Sequence, residues 1–354
     1  MPLDTIKVLL PAALAFLAGI AVTPAVAGFL YRNKMWKPKA GKVALDGKAA
    51  EEFNRLHAKK EVGTPRLGGS IIWISTLAVA CGLWLLAALF PGVGFGKLEF
   101  LSRSQTWVPL AVFALGALVG LADDLSEVRG QGGLSLGARL SFVTGVGAIL
   151  AVWFYEKLEV TAVGVPLWGS VELGWLIVPT IVAVVLATYA SGVIDGLDGL
   201  AGGVFAIAFA AYAAIAFAQG QVNLAALSAT VAGATLAFLW FNVPPARFYM
   251  SETGSMALTL TLATVAMMSD SLVGGVGLAI LPLVALPLAA TVAGNLIQVG
   301  SKKLLGRKVF RVAPVHHHFE AIGWPREKVV MRYWIVAAVS AVIGVVVALA
   351  HLAG

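Results

Sequence analysis

The sequence predicts an all-α polytopic membrane protein of about ten transmembrane helices, and three observations predict it. Hydrophobic residues fill 59% of the 354 positions and charged residues only 12%, with a mean hydropathy of +0.90. A soluble core has no room for that much apolar surface, and a bilayer is its natural solvent. The apolar residues fall into runs of the length that crosses about 30 Å of hydrocarbon. The basic residues are confined almost wholly to alternate loops. In lipid a helix satisfies its own backbone, so the runs read as helices. No soluble domain is left over, and residues 1–354 read as a single integral membrane domain.

Ten runs stand out, at 7–31, 67–90, 107–122, 137–154, 173–190, 200–218, 222–241, 254–269, 271–299 and 329–351. The first carries Lys7 and lacks a small-residue cleavage site, so it reads as a retained span rather than a removed signal. The ninth holds Pro282 and Pro287, which predict a bend or break, and a bent span can open a groove toward lipid. The single cysteine, Cys81, sits inside an apolar run, which leaves neither a disulfide framework nor a thiol metal site.

Of the 25 lysines and arginines, all but Lys7, Lys97, Arg103 and Lys157 follow odd-numbered spans. The positive-inside rule makes those loops cytoplasmic. The net charge of +7 is therefore a statement about topology first and about anionic lipid or substrate second. A nucleic-acid partner is not expected.

The polar motifs sort onto the same face. GTPRLGG (63–69) closes the first loop, LADDLSE (121–127) follows span three, and VIDGLDGLAGG (193–203) follows span five. FNVPPARFYMSETGS (241–255) follows span seven, and APVHHHFEAIGW (313–324) follows span nine. Ionisable groups at the ends of membrane helices are functional by default, and a scatter of solvated loop residues is the alternative.

Asp123, Asp124, Asp195, Asp198 and Glu252 are five carboxylates that repel one another unless a cation sits among them. Hard oxygen donors of this kind suit Mg²⁺, which keeps water and shares substrate phosphates with one or two carboxylates. Taken alone, DGLDG also reads as a glycine-rich turn. Three adjacent imidazoles, His316 to His318, point in different directions on a helix or a strand, so zinc chelation is a weak reading. In an extended loop after Pro314 they can donate to several oxygens of an anion, beside Lys302, Lys303, Arg307, Lys308 and Arg311. A solvated basic loop is the plainer alternative. An anionic substrate reconciles the histidines with the acids.

These motifs, in this order among ten spans, resemble the phospho-N-acetylmuramoyl-pentapeptide transferase (MraY) family. The resemblance covers nearly the whole chain. The ADD and DGLDGL elements are shared across the wider superfamily of polyprenyl-phosphate sugar-phosphate transferases, whereas PVHHHFE followed by GW marks this branch. It implies transfer of phospho-MurNAc-pentapeptide from its UDP carrier to undecaprenyl phosphate, giving lipid I and UMP, with Mg²⁺, at the cytoplasmic face of the bacterial inner membrane. It also implies roles. Asp123 and Asp124 match the pair of which one member serves the acceptor phosphate, and Asp195 and Asp198 match the pair near the nucleoside and diphosphate. His316, His317 and His318 complete the catalytic set. Lys59, Lys60, Thr64, Asn242, Tyr249 and Gln298 fall at substrate-binding positions, with Tyr249 where the family has a Phe that stacks on uracil. Glu252 falls at the magnesium-binding aspartate.

The chain departs from the family pattern at several points. Glu127 stands where the family has lysine, Tyr189 and Gly192 where it has asparagines, Ser251-Glu252 where it has Gly-Asp, and Thr291 where it has a membrane glutamate. TPTMGG becomes Thr64-Pro65-Arg66-Leu67-Gly68-Gly69, with Lys59 or Lys60 in place of the preceding lysine. Two other readings stay open: a sister transferase for another UDP-amino-sugar phosphate, and a non-catalytic lipid-binding descendant of the same fold. The histidine segment argues against the first and the five carboxylates against the second. Gly274, Gly275 and Gly277 are compatible with close helix contacts in a homodimer without establishing one.

Overall fold

The computed structural model describes residues 2–38, 62–271 and 274–353. Lys59 and Lys60 lie outside the described residues. The chain is a bundle of α-helices: α1 (Pro2–Arg32), α2 (Ser70–Leu89), α3 (Trp107–Val128), α4 (Leu136–Val152), α5 (Ile177–Ala190), α6 (Leu200–Ala218), α7 (Val222–Asn242), α8 (Ser251–Ser271), α9 (Leu281–Val284), α10 (Leu286–Leu305), α11 (Val315–Ala321) and α12 (Arg326–Ala353). A two-stranded antiparallel hairpin, β1 (Ala162–Val165) and β2 (Gly169–Glu172), lies between α4 and α5.

Eight helical stretches among the described residues are long and apolar enough to cross a membrane. They match the first seven expected spans and the last. The eighth expected span, 254–269, lies within α8, which is surrounded by protein: Met256, Leu258, Leu260, Leu262 and Val265 are all fully buried. A helix enclosed by other helices has no lipid face to grease. It therefore carries Thr259, Thr261 and Thr264, whose hydroxyls donate back to the carbonyls of Ser255, Ala257 and Leu260. At 21 residues α8 is about 31 Å long, which matches the hydrocarbon thickness.

The ninth expected span is broken, as its prolines predict. Pro282 and Pro287 sit in the first turns of α9 and α10, where a missing N–H costs nothing. Ala285 between the two helices leaves helical geometry, with φ −112° and ψ 43°. Thr291 on α10 is buried and donates to the Pro287 carbonyl.

Glycine sets the central contact. A Cβ on Gly120 of α3 would strike the carbonyl oxygen of Glu252, so only a residue without a side chain lets α3 and α8 come this close. The approach brings Asp123 and Asp124, one turn further along α3, beside the first turn of α8. At the other end of α8, Asp270 accepts from the backbone N–H groups of Gly164 and Leu278, both at 3.1 Å, and so staples the hairpin to the bundle.

The histidine segment corrects one expectation. Rather than an extended loop after Pro314, residues 315–321 form the short helix α11. Pro314 has no N–H to lose and stands at its N-cap with extended φ and ψ.

Candidate active site

Four separate loops and the start of α8 meet at one end of the bundle, and backbone hydrogen bonds fasten them. Tyr249 N–H donates to the Pro65 carbonyl and Gly68 N–H to the Tyr249 carbonyl, both at 2.8 Å, so GTPRLGG pairs with the stretch that carries Tyr249. Asn242, buried at the end of α7, accepts from Gly199 N–H and donates to the Phe248 carbonyl. One amide thus ties the DGLDG turn to the loop before α8. Asp195 accepts from Ser251 N–H at 2.9 Å and Asp198 from Ala246 N–H at 3.2 Å.

Asp124 is fully buried. Its Oδ2 accepts from the Thr253 N–H at 2.8 Å and from the Thr253 hydroxyl at 2.6 Å. Its Oδ1 lies 3.4 Å from Nε and Nη2 of Arg66. Asp123 accepts from Leu134 N–H and has Arg139 Nη1 at 3.8 Å. The same Arg139 nitrogen is 3.0 Å from Glu252 Oε1, and Ser255 Oγ lies 3.4 Å from Glu252 Oε2. Tyr189, at the end of α5, interacts with both Arg139 and Glu252. Two arginines are therefore threaded through the acids. Burial works against the charge of Arg66, but Asp124 and Glu127, followed by Asp195 and Glu252, hold its guanidinium above the ordinary arginine range. Repulsion among the carboxylates is in this way offset inside the protein itself.

The three histidines divide. His316 and His317 are buried with ring centroids 4.3 Å apart, edge to face. Both meet the DGLDG turn: a Cβ on Gly196 would lie 2.6 Å from His316 Nε2 and 2.7 Å from His317 Nε2. Glycine at 196 is thus a condition for the two imidazoles to reach the backbone between Asp195 and Asp198. His318 turns elsewhere, accepting from Arg311 N–H at 3.2 Å and packing on the Phe310 ring. Gln298 bonds to the backbone of Val309 and Phe310 and so braces the segment that leads into α11. Thr64 is half-buried two residues ahead of Arg66, and Tyr249 is half-buried beside fully buried Phe248.

The structure thus joins Asp123, Asp124, Asp195, Asp198, Glu252, His316, His317, Asn242 and Tyr249 in one contact network. Four further members were given no site role by the sequence. Arg66 lay inside GTPRLGG and Glu320 inside the histidine segment, while Arg139 and Arg326 counted only as topology-setting charges. Their signal was proximity in sequence to the acids or the histidines, and it takes the fold to turn that into contact.

Among the described residues no three His, Cys, Asp or Glu side chains converge as a ready-made metal cage. Mg²⁺ does not ask for one, since it keeps its waters and takes one or two carboxylates together with substrate phosphates. Glu252, a hard oxygen donor among further carboxylates, fits that demand.

Comparisons with known proteins place the chain in a family. A family model described as glycosyl transferase family 4 matches residues 106–270, the stretch that runs from α3 to the end of α8. The chain is 32% identical to a phospho-N-acetylmuramoyl-pentapeptide-transferase of Anoxybacillus flavithermus, over 96% of this chain and 97% of that protein. Identity to the protein of that name from Geobacillus kaustophilus is 33%, covering 94% and 95%. For the Bacillus anthracis protein it is 31%, covering 95% and 96%. With identity above 30% sustained across nearly the full length of such relatives, the chain belongs to the phospho-N-acetylmuramoyl-pentapeptide-transferase family.

Proposed function

We propose that the protein transfers phospho-MurNAc-pentapeptide from its UDP carrier to undecaprenyl phosphate, forming lipid I and releasing UMP, on the cytoplasmic side of the bacterial inner membrane. One observation carries the reading: a network of carboxylates, arginines and imidazoles is built at one end of a membrane-helix bundle. A soluble, anionic nucleotide sugar and a membrane-bound phosphate can meet only at such a place. The break between α9 and α10 supplies an irregular flank on which a polyprenyl chain can lie.

The second pKa of a phosphate monoester is near 6, so the lipid phosphate reaches the site largely as a dianion. One of its oxygens attacks the sugar-side phosphorus of the UDP-sugar. A new P–O bond forms, the bond to the UMP oxygen breaks, and that oxygen leaves with the electron pair. No strong base is needed. The protein's work is positioning and charge stabilisation. Arg66 and Arg139 neutralise the incoming phosphates, Asp124 orients Arg66, and Nε2 of His316 and His317 faces the diphosphate at the Asp195–Asp198 turn. Tyr249 offers a ring for the uracil. When bound, Mg²⁺ would supply charge neutralisation for the diphosphate being cleaved and the departing UMP, with Glu252 as the residue that would hold it.

The test is incubation of the purified protein with UDP-MurNAc-pentapeptide, undecaprenyl phosphate and Mg²⁺, with UMP and lipid I as the readouts. Turnover of another UDP-amino-sugar in place of this one, or none with any, would remove the proposal.

A further inference from the structure

Glu320 is buried in α11 and has both oxygens engaged. Oε2 lies 2.7 Å from His317 Nδ1, one turn earlier on the same helix. Oε1 lies 2.8 Å from Arg326 Nε at the start of α12. The other ring nitrogen of His317, Nε2, is the one that meets Gly196. A buried carboxylate at hydrogen-bond distance requires a proton on the nitrogen facing it, which determines what the opposite nitrogen presents.

We propose that Glu320, held by Arg326, is a positioning residue for His317: it takes the Nδ1 proton as a hydrogen bond and aims Nε2 at an anionic oxygen of the substrate at the Asp195–Asp198 turn. This rests on the function proposed above. The imidazole is chosen for one nitrogen and oriented through the other, and Arg326 holds the second oxygen of the orienting carboxylate at 2.8 Å. A carboxylate partner also favours the protonated ring, in which Nε2 is a charge-assisted donor to phosphate. The groups around His317 are Glu320 on its own helix, the His316 ring beside it and Arg326 behind Glu320, and Asp195 and Asp198 flank Gly196 in the turn that it meets. Tyr333 of α12 packs against the far side of His316.

The imidazole arrangement is read directly by ¹⁵N-histidine NMR on the protein in detergent, with His317→Gln identifying the signal. Protonated Nδ1 in the parent, lost or exchanged for the other tautomer in Glu320→Gln, is the expected result. An Nδ1 without a proton in the parent overturns the proposal, whether or not the protein turns over lipid. In the transferase assay Glu320→Gln should lose about 10- to 100-fold, the usual effect of removing an orienting partner, and Glu320→Asp should recover part of it. The carboxylate stabilises the imidazolium, so in Glu320→Gln the alkaline limb of the pH profile should move to lower pH and the loss should grow as pH rises. His317→Gln, whose amide nitrogen stands near the Nε2 position, should retain more turnover than His317→Asn, whose amide stands near Nδ1. A loss in Glu320→Gln that is equal at every pH, with His317→Asn the better of the pair, means that Glu320 only supports the fold and overturns the proposal.

Discussion

Arg66 and Glu127 form an ion pair at 2.8 Å, and Lys37 takes the other oxygen of Glu127 at the same distance. The pair joins three parts of the chain: the end of α1, the turn before α2 and the end of α3. It also links two departures from the family pattern, since an acid stands where the family has lysine and an arginine where it has threonine. In this chain the cation beside Asp124 is Arg66, 3.4 Å from Oδ1.

The first prediction follows from that relationship. Arg66→Met strips the cation from Asp124, and Glu127→Lys sets a third positive charge against Lys37 and Arg66. Each alone should reduce turnover by about 10- to 100-fold, whereas the double variant restores one cation beside Asp124 and should be better than the product of the singles. Turnover of the four proteins closes the cycle. A double variant that behaves as two independent losses sinks the idea of one displaced charge.

Asp124 is held on both oxygens, with Thr253 on one and Arg66 on the other. Asp124→Asn keeps the shape but leaves the Arg66 charge without its buried partner. Loss of a transition-state electrostatic contact costs about 10²- to 10³-fold in rate, and that is the loss expected. Asp198 accepts from the Ala246 N–H at 3.2 Å in the loop before α8, a bond that the oxygen of an asparagine amide can still accept, so Asp198→Asn should be milder. Equal losses at the two positions would argue that Asp124 has no special role.

Glu252 and Arg139 lie 3.0 Å apart, so a metal ion bound at Glu252 would compete with the guanidinium for the carboxylate. Glu252→Asp should remain active and Glu252→Gln should lose most activity, with partial rescue by added Mg²⁺. Arg139→Gln frees the carboxylate and should lower the Mg²⁺ concentration needed for half-maximal turnover, even where the maximal rate falls. Titration of turnover against Mg²⁺ after chelation by EDTA checks all three. A Glu252→Gln protein that matches the parent at limiting Mg²⁺ moves the metal elsewhere.

Much of the fold and most of the site were legible in the sequence, for physical reasons that differ by residue. Apolar runs report spans because lipid permits little else, and the Pro282 and Pro287 break followed from the missing N–H. Asp124, Asp195 and Glu252 were legible because carboxylates at helix ends are costly and short of cations. The partners of those groups were not legible. Arg139 looked like any cytoplasmic charge and Arg66 like one residue of the GTPRLGG loop, and only the folded approach of α3 to α8 reveals that both lie inside the acid network. The secondary structure of the histidine segment was misjudged because a seven-residue helix has too few turns to show a period. Gln298 looked like a substrate contact, yet its amide is occupied by the backbone of residues 309 and 310.

Topology is tested by labelling, and the structure selects the positions. In a Cys81→Ala background, single cysteines at the exposed residues Arg129 and Lys303 should react with a membrane-impermeant reagent from the cytoplasmic side. One at the exposed hairpin residue Ser170 should react only from outside. Ser251, Ser301 and Gln221 are buried, so labelling there would report access to the protein interior rather than sidedness. Reaction of Arg129 and Lys303 cysteines from opposite faces would break the single-site arrangement.

The last prediction concerns the contact that assembles the site. Gly120→Ala adds a methyl group whose carbon would strike the Glu252 carbonyl oxygen, a backbone atom that no rotamer change can move. Helix α3 must therefore shift away from α8, and overpacking of this kind costs about 1–3 kcal/mol. The shift also separates Asp124 from Thr253, and a displacement of about 1 Å at a reacting centre can cost about 10²-fold in rate. Leu118→Ala, on the same helix at a position 58% exposed toward the surroundings, removes more atoms but touches no such contact, and should leave both properties near those of the parent. Thermal unfolding in detergent and turnover are the measurements. If Gly120→Ala unfolds and turns over like Leu118→Ala, the close approach of α3 and α8 does not determine the geometry of the acids.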